Sequence, residues 1–365
     1  MNEKIKNIIS CVSFLLILFG FAIAGLLLPD GDVSAVERRK LKQLPQTDAQ
    51  SLMSDEYYDK FEKYLLDQFA LRDTLRTVKA FNEYRVFAKA DSDGVYLCDG
   101  YVSKTDYPLD EQSILDTAEQ YGYIYDELFA GCDAYYSIIP DNNFFLAEKN
   151  GYPCFDYGKL KAIMKENCDY GYIEISDLLS IDNYYRTDLH WRQEAIIPVA
   201  DRILSAMGKT PPPRNYTYTE YDGFYGSYFG QSALPVSADK LVYTNNDVLS
   251  SCTLFNHQSG VISGIYEPES IGGIDSYSVF LSGAQALLTV ENPANTDGGT
   301  LYIVRDSFAS SLAPLLAESY HKIVLIDIRY ISPKAVRRYI TPESDADVLF
   351  ILSTTVMNLS NIFKD

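Results

Sequence analysis

The strongest constraint on the fold is the regular exchange of two hydrophobic periods in the last third of the chain. Leu301–Val304, Lys322–Ile328 and Asp347–Leu352 are short runs rich in branched apolar residues, and residues 308–319 and 332–340 between them carry apolar positions at helical spacing. Strands apolar on both faces, alternating with helices of about ten residues, pack as a parallel sheet covered on both sides. The alternation also reads upstream: a helix over 110–128, a strand over Ala134–Ile139, a helix over 157–167, a strand over Tyr172–Ile175 and a helix from about His190 to Met207. The expected class is α/β, a parallel sheet flanked by helices.

Residues 208–300 break the pattern. They begin with Pro211-Pro212-Pro213, are rich in Tyr, Ser, Gly and Asn, and predict an irregular β-rich insertion within an α/β domain spanning 91–365. Ligands gather at the carboxyl ends of strands in such sheets, so an insertion there would wall a cleft. Residues 30–90 read as a linker, with Pro29, Gly31 and Pro45 near its start, followed by amphipathic helices. There Phe61, Leu65, Phe69, Leu75, Val78 and Phe81 recur at helical spacing.

Residues 1–29 predict a membrane anchor. Ile8 to Leu28 is a charge-free, mostly apolar run of 21 residues, and as a helix it spans about 30 Å, a bilayer core. Ala22-Ile23-Ala24 offers the competing reading, a cleaved signal peptide and a secreted product. The run continues to Leu28, which favours the anchor. Lys4 and Lys6 before it, with Asp30 and Asp32 after it, favour a cytoplasmic amino terminus, although Arg38, Arg39, Lys40 and Lys42 pull the other way. The expectation is a single-pass protein of the cell membrane with its large domain outside the cytoplasm.

A net charge of −19 argues against nucleic acid as a partner. Thirty tyrosines suit contact with a polar ligand. The six cysteines show no paired spacing, and the three histidines, His190, His257 and His321, lie far apart, so neither a disulfide framework nor a metal site is expected.

Two segments carry chemistry. Tyr184-Tyr185-Arg186-Thr187-Asp188-Leu189-His190-Trp191 sets an acid and an imidazole two residues apart. Val304-Arg305-Asp306-Ser307-Phe308 sets a serine between a strand and a helix. A serine nucleophile needs a base and a group that orients the base, in any chain order. Each segment also has a structural reading: Asp306 or Ser307 would cap one helix, and Thr187 or Asp188 the next. His257 and His321 read as ordinary surface histidines.

These blocks resemble the DHHW-motif family, a bacterial group related to the SGNH-like proteins of alginate and other polysaccharide O-acetylation. The resemblance rests on Glu37-Arg38-Arg39-Lys40-Leu41 with Pro45, on Asp67-Gln68-Phe69-Ala70-Leu71-Arg72-Asp73, and on Arg186-Thr187-Asp188-Leu189-His190-Trp191. Phe224-Tyr225-Gly226-Ser227 and Arg305-Asp306-Ser307-Phe308 complete it. It implies an SGNH-like domain with catalytic Asp188, His190 and Ser307, and no metal or organic cofactor. It further implies O-acetyl transfer or acetyl-ester hydrolysis on a cell-surface or exported polysaccharide, with a membrane-embedded acyl carrier protein as donor partner. The alternative is a non-catalytic glycan-binding scaffold of the same system. Two positions depart from the pattern: Leu189 replaces the first His of the motif, and Arg305 stands where glycine is common. Asn142 and Asn143 are the candidates for further oxyanion donors.

Overall fold

The computed structural model describes residues 3–34, 36–47, 54–87, 89, 91, 94–234, 236–359, 361 and 363. Residues 48–53 of the expected linker lie outside these. The central sheet has eight strands: β1 (Asp133–Ile139), β2 (Gly171–Tyr172), β3 (Thr253–Asn256), β4 (Ile262–Gly264), β5 (Leu287–Glu291), β6 (Thr300–Arg305), β7 (Lys322–Ile326) and β8 (Asp347–Ser353). Their spatial order is β4-β3-β5-β7-β6-β8-β1-β2. Neighbours from β7 through β2 run parallel, whereas β5, β3 and β4 pair antiparallel along one edge.

The side-chain period of two explains why the sheet is covered twice. Leu301, Ile303, Leu325 and Ile351 enter one core with Val199 and Ile203 of helix α7 (Ile197–Ala206) and with Leu312 and Leu316 of helix α8 (Ala309–Ala317). Tyr302, Val304, Val324 and Phe350 enter the other with Ile114 and Tyr121 of α4 (Glu111–Ile124) and with Leu160 and Met164 of α6 (Tyr157–Asn167). The expected α/β class, a largely parallel sheet flanked by helices, is what the chain adopts.

Ahead of this domain lie α1 (Glu3–Leu27), α2 (Asp55–Asp67) and α3 (Arg72–Arg85). Helix α1 is long and apolar enough to be a membrane span or a signal sequence. Helix α5 (Asn142–Asn150) follows β1 directly.

Two local expectations change. The helix read from His190 begins only at Ile197, with Pro198 in its first turn, where a missing N–H costs nothing. Residues 184–191 instead close on themselves. Tyr184 and Trp191 bridge antiparallel, and the Tyr185 N–H donates to the His190 carbonyl at 3.1 Å. The strand read over Tyr172–Ile175 pairs only at Gly171–Tyr172, after which the chain enters a tight turn at Ser176–Leu178. Within 208–300, a hairpin of Thr217–Phe224 and Asp239–Asn245 precedes β3, β4 and β5, which extend the main sheet.

Candidate active site

The site forms at the carboxyl ends of β6, β8 and β1, brought level by the register Arg305↔Ile351 and Ser353↔Ile139. Beyond β6 the chain turns at Asp306 and Ser307 before α8. The buried Asp306 carboxylate accepts from the Phe308 N–H at 2.9 Å and from the Ser353 N–H at 2.7 Å, tying the turn to β8. Neither Asp306 nor Ser307 caps α8: its N-cap is Phe308, without a side-chain cap, and the Asp306 carboxylate braces the turn ahead of it. Ser307 is partly exposed and its side chain is available for another partner.

That partner is His190. Ser307 Oγ lies 2.8 Å from His190 Nε2, and His190 Nδ1 lies 2.5 Å from Asp188 Oδ1. The three residues expected from sequence thus stand in one hydrogen-bonded series. The Asp188 carboxylate, fully buried, also accepts from the His190 N–H at 2.9 Å and the Ser227 N–H at 2.7 Å, and pairs with the Arg38 guanidinium at 2.9 Å. Burial pushes its pKa up, but the pull of the His190 ring and the Arg38 guanidinium, with these hydrogen bonds, outweighs burial and holds it well below the usual carboxylate range. An ionised Asp188 can only accept, so Nδ1 carries the ring proton and Nε2 turns its lone pair to Ser307.

The imidazole is fixed by packing as well. The Tyr277 ring stacks on it with centroids 3.9 Å apart and planes at 8°, and Phe308 lies 4.9 Å away on a tilt. The Tyr277 hydroxyl donates to Ser311 Oγ at 3.0 Å, and the Trp191 Nε1–H reaches the same oxygen and the Phe308 carbonyl, each at 3.0 Å. Asp239 holds the loop behind: its carboxylate accepts from the Arg186 N–H at 3.0 Å and from the Thr187 N–H and hydroxyl at 2.8 and 2.6 Å. A Cβ on Gly226 would sit 2.1 Å from the Asp188 Cβ, so only glycine lets the two backbones approach.

Arg305, the departure next to the serine, turns inward. It is fully buried and donates to Ser310 Oγ at 3.0 Å and to the Asp306 and Gln285 carbonyls at 3.3 Å. The Asn142 side chain is taken up by the Ser103 hydroxyl and the Val102 carbonyl, and the Asn143 carbonyl by the Tyr96 hydroxyl. His257 bonds Thr289 Oγ1 at 2.8 Å, and His321 the Asn292 carbonyl at 3.1 Å, both outside the series.

Sequence reasoning missed Arg38, Asp239 and Tyr277 as members of the site. Arg38 had one available signal, its place in the quoted Glu37–Leu41 block. Tyr277 lies in the stretch read as irregular and carried none.

Fold and geometry define an α/β protein with a serine, an imidazole and a carboxylate bonded in series at the carboxyl edge of a mostly parallel sheet. Residues 156–326 match the family model described as DHHW protein. The matched stretch contains Asp188, His190 and Ser307. Among solved structures, a DHHW family protein from Eubacterium siraeum DSM 15702 superposes with a TM-score of 0.59 at 18% identity, over 74% of this chain and 94% of that one. PatB1 from Bacillus cereus, solved with a sulfonyl adduct, gives 0.56 at 19% identity, over 74% and 96%. At this identity the likeness is one of fold. No curated protein matches the chain.

Proposed function

We propose that the chain is a membrane-anchored, extracytoplasmic O-acetyltransferase or acetylesterase that acts on a cell-surface or exported polysaccharide through an acetyl-serine intermediate. The observation that carries this reading is the unbroken series from Ser307 Oγ through His190 to a buried, ionised Asp188. In the first half-reaction Ser307 Oγ attacks the acetyl carbonyl while its proton passes to His190 Nε2. The Asp188 carboxylate stabilises the imidazolium, which then returns the proton to the departing donor group. In the second half, a sugar hydroxyl gives its proton to His190 and attacks the acetyl-serine carbonyl; the Ser307 Oγ–acyl bond breaks and His190 returns the proton to Ser307 Oγ. Water in that place makes the same site an esterase. The amino end of α8, just after Ser307, favours the negative charge that develops on the carbonyl oxygen.

In this reading residues 8–28 stay in the bilayer and a membrane-embedded acyl carrier protein presents the acetyl group. The resemblance to polysaccharide O-acetylation proteins supplies the substrate class.

The test is p-nitrophenyl acetate hydrolysis by the full chain beside Ser307→Ala and His190→Ala, with mass spectrometry of the Ser307 peptide. A mass gain of one acetyl group on Ser307, and turnover reduced by about a thousandfold or more in both variants, is the expected result. The sulfonyl adduct carried by PatB1 makes a sulfonyl fluoride a second probe of the same serine. Wild-type protein that neither turns over nor labels would leave the glycan-binding scaffold as the reading.

A further inference from the structure

Helix α3 has apolar side chains on two faces. Its inner face is used: Arg76 donates to the Gly230 carbonyl at 2.7 Å, Ala80 packs with Ala233 and Leu234, and the Tyr84 hydroxyl donates to the Val95 carbonyl at 2.6 Å. Its outer face presents Leu75 and Val78, 39% and 49% exposed. The end of α2 and the turn into α3, next to it in sequence, expose Leu65 (50%), Leu66 (60%) and Leu71 (67%) as well. A soluble surface scatters such residues singly, and a contiguous group of them marks a surface that something covers.

The position of the patch says what covers it. Phe69, 43% exposed in the same turn, stacks on Phe21 of α1 with ring centroids 5.1 Å apart and planes at 22°. The apolar span within α1 runs from Glu3 to Gly25. Phe21 therefore lies about 6 Å inside the end of that span, at 1.5 Å per residue. A ring in contact with it shares its depth. The net charge of −19 makes attraction to anionic headgroups a poor source of membrane affinity, which leaves apolar contact.

We propose that the α2–α3 junction is a membrane-docking surface, with Leu65, Leu66, Phe69, Leu71, Leu75 and Val78 seated in the acyl-chain edge of the bilayer that α1 spans. The inference rests on the reading that residues 8–28 remain embedded, and it adds a second contact that sets how the domain sits on the membrane. The partner is lipid, and a zwitterionic surface suffices.

The test uses tryptophan depth. Trp191 is the single native tryptophan and is fully buried. Full-length Leu66→Trp, Val78→Trp, Phe21→Trp and Glu119→Trp are reconstituted separately in phosphatidylcholine nanodiscs with and without brominated acyl chains. Emission from Leu66→Trp and Val78→Trp is expected to fall by about half with brominated lipid, as it does for Phe21→Trp, while Glu119→Trp on the solvent face of α4 is unchanged. Quenching of Phe21→Trp alone would overturn the docking surface and leave the anchor standing. Absence of quenching even in Phe21→Trp would remove both. Emission from residues 66 and 78 that is shielded from aqueous iodide yet unquenched by lipid would mean that protein covers the face, which also overturns the proposal.

Discussion

Arg38 and Asp188 are separated by 150 residues in sequence and by 2.9 Å in space. The arginine side chain is 10% exposed and its second nitrogen pairs with Asp275, so the guanidinium is held between two carboxylates. Through Asp188 it acts on His190 without touching the serine, which makes it a positioning residue. Arg38→Ala is expected to lower acetyl-ester turnover about tenfold, with partial recovery in Arg38→Lys and on addition of guanidinium. Loss of a cation beside Asp188 lets the Asp188–His190 pair hold its proton more tightly. The rising limb of the pH–rate profile should therefore move to higher pH. A uniform loss with the limb unmoved would reduce Arg38 to a fold-stabilising role.

Tyr277 offers a separable test of imidazole placement. Tyr277→Phe keeps the ring that stacks on His190 and loses only the bond to Ser311. Tyr277→Leu removes the flat face. Aromatic pairs are worth about 0.5–1.5 kcal/mol, so the leucine variant should lose up to about tenfold in kcat and the phenylalanine variant much less. Equal losses in the two would assign the effect to the hydroxyl.

Gly226→Ala places a methyl group 2.1 Å from the Asp188 Cβ and 2.5 Å from its Cα. Backbone cannot yield as a flexible side chain does, and a cost of about 3 kcal/mol or more is expected, read as a lowered Tm together with lost turnover. Gly122→Ala, inside α4 with open space around its Cβ, is the contrast. There the gain in helix propensity of about 1 kcal/mol should leave Tm unchanged or raised.

Burial raises the Asp141 carboxyl to about 7, against the lowering effect of the Tyr157 hydroxyl that donates to it. A carboxyl with a folded pKa above its unfolded value adds stability fully below the unfolded pKa, 3.8 for an unperturbed aspartate. That contribution is lost as pH rises through about 7. The Tm of the wild type minus that of Asp141→Asn is accordingly expected to fall between pH 4 and 7. Two parallel Tm curves over that window would contradict the shift.

Much of the architecture was legible because strands buried on both faces leave unbroken apolar runs, as at Leu301–Val304 and Asp347–Leu352. The pair Asp188 and His190 was legible because a single residue separates them, and a short loop can hold both against one serine. The helix at 190–207 was overdrawn because Ile196, Val199 and Ile203 show helical period while nothing local reveals that Tyr184 pairs with Trp191. The antiparallel edge strands β3, β4 and β5 were hidden for a related reason: alternation predicts a strand but names no neighbour. Arg38 is the extreme case, a charge in a run of charges whose buried partner lies in another part of the chain.

The carboxylate and imidazole are two residues apart, yet the serine they serve is 117 residues from His190. One half of the site can form early and locally, while the other must wait for a long loop to close. The entropy of such closure grows slowly with length, by about 0.6 kcal/mol per doubling, but it must be met before any contact across the loop can reward it. Reactivity at Ser307 is therefore a clock for completed topology. A chain caught partway through folding holds Ser307 apart from His190 until β6 has found β8.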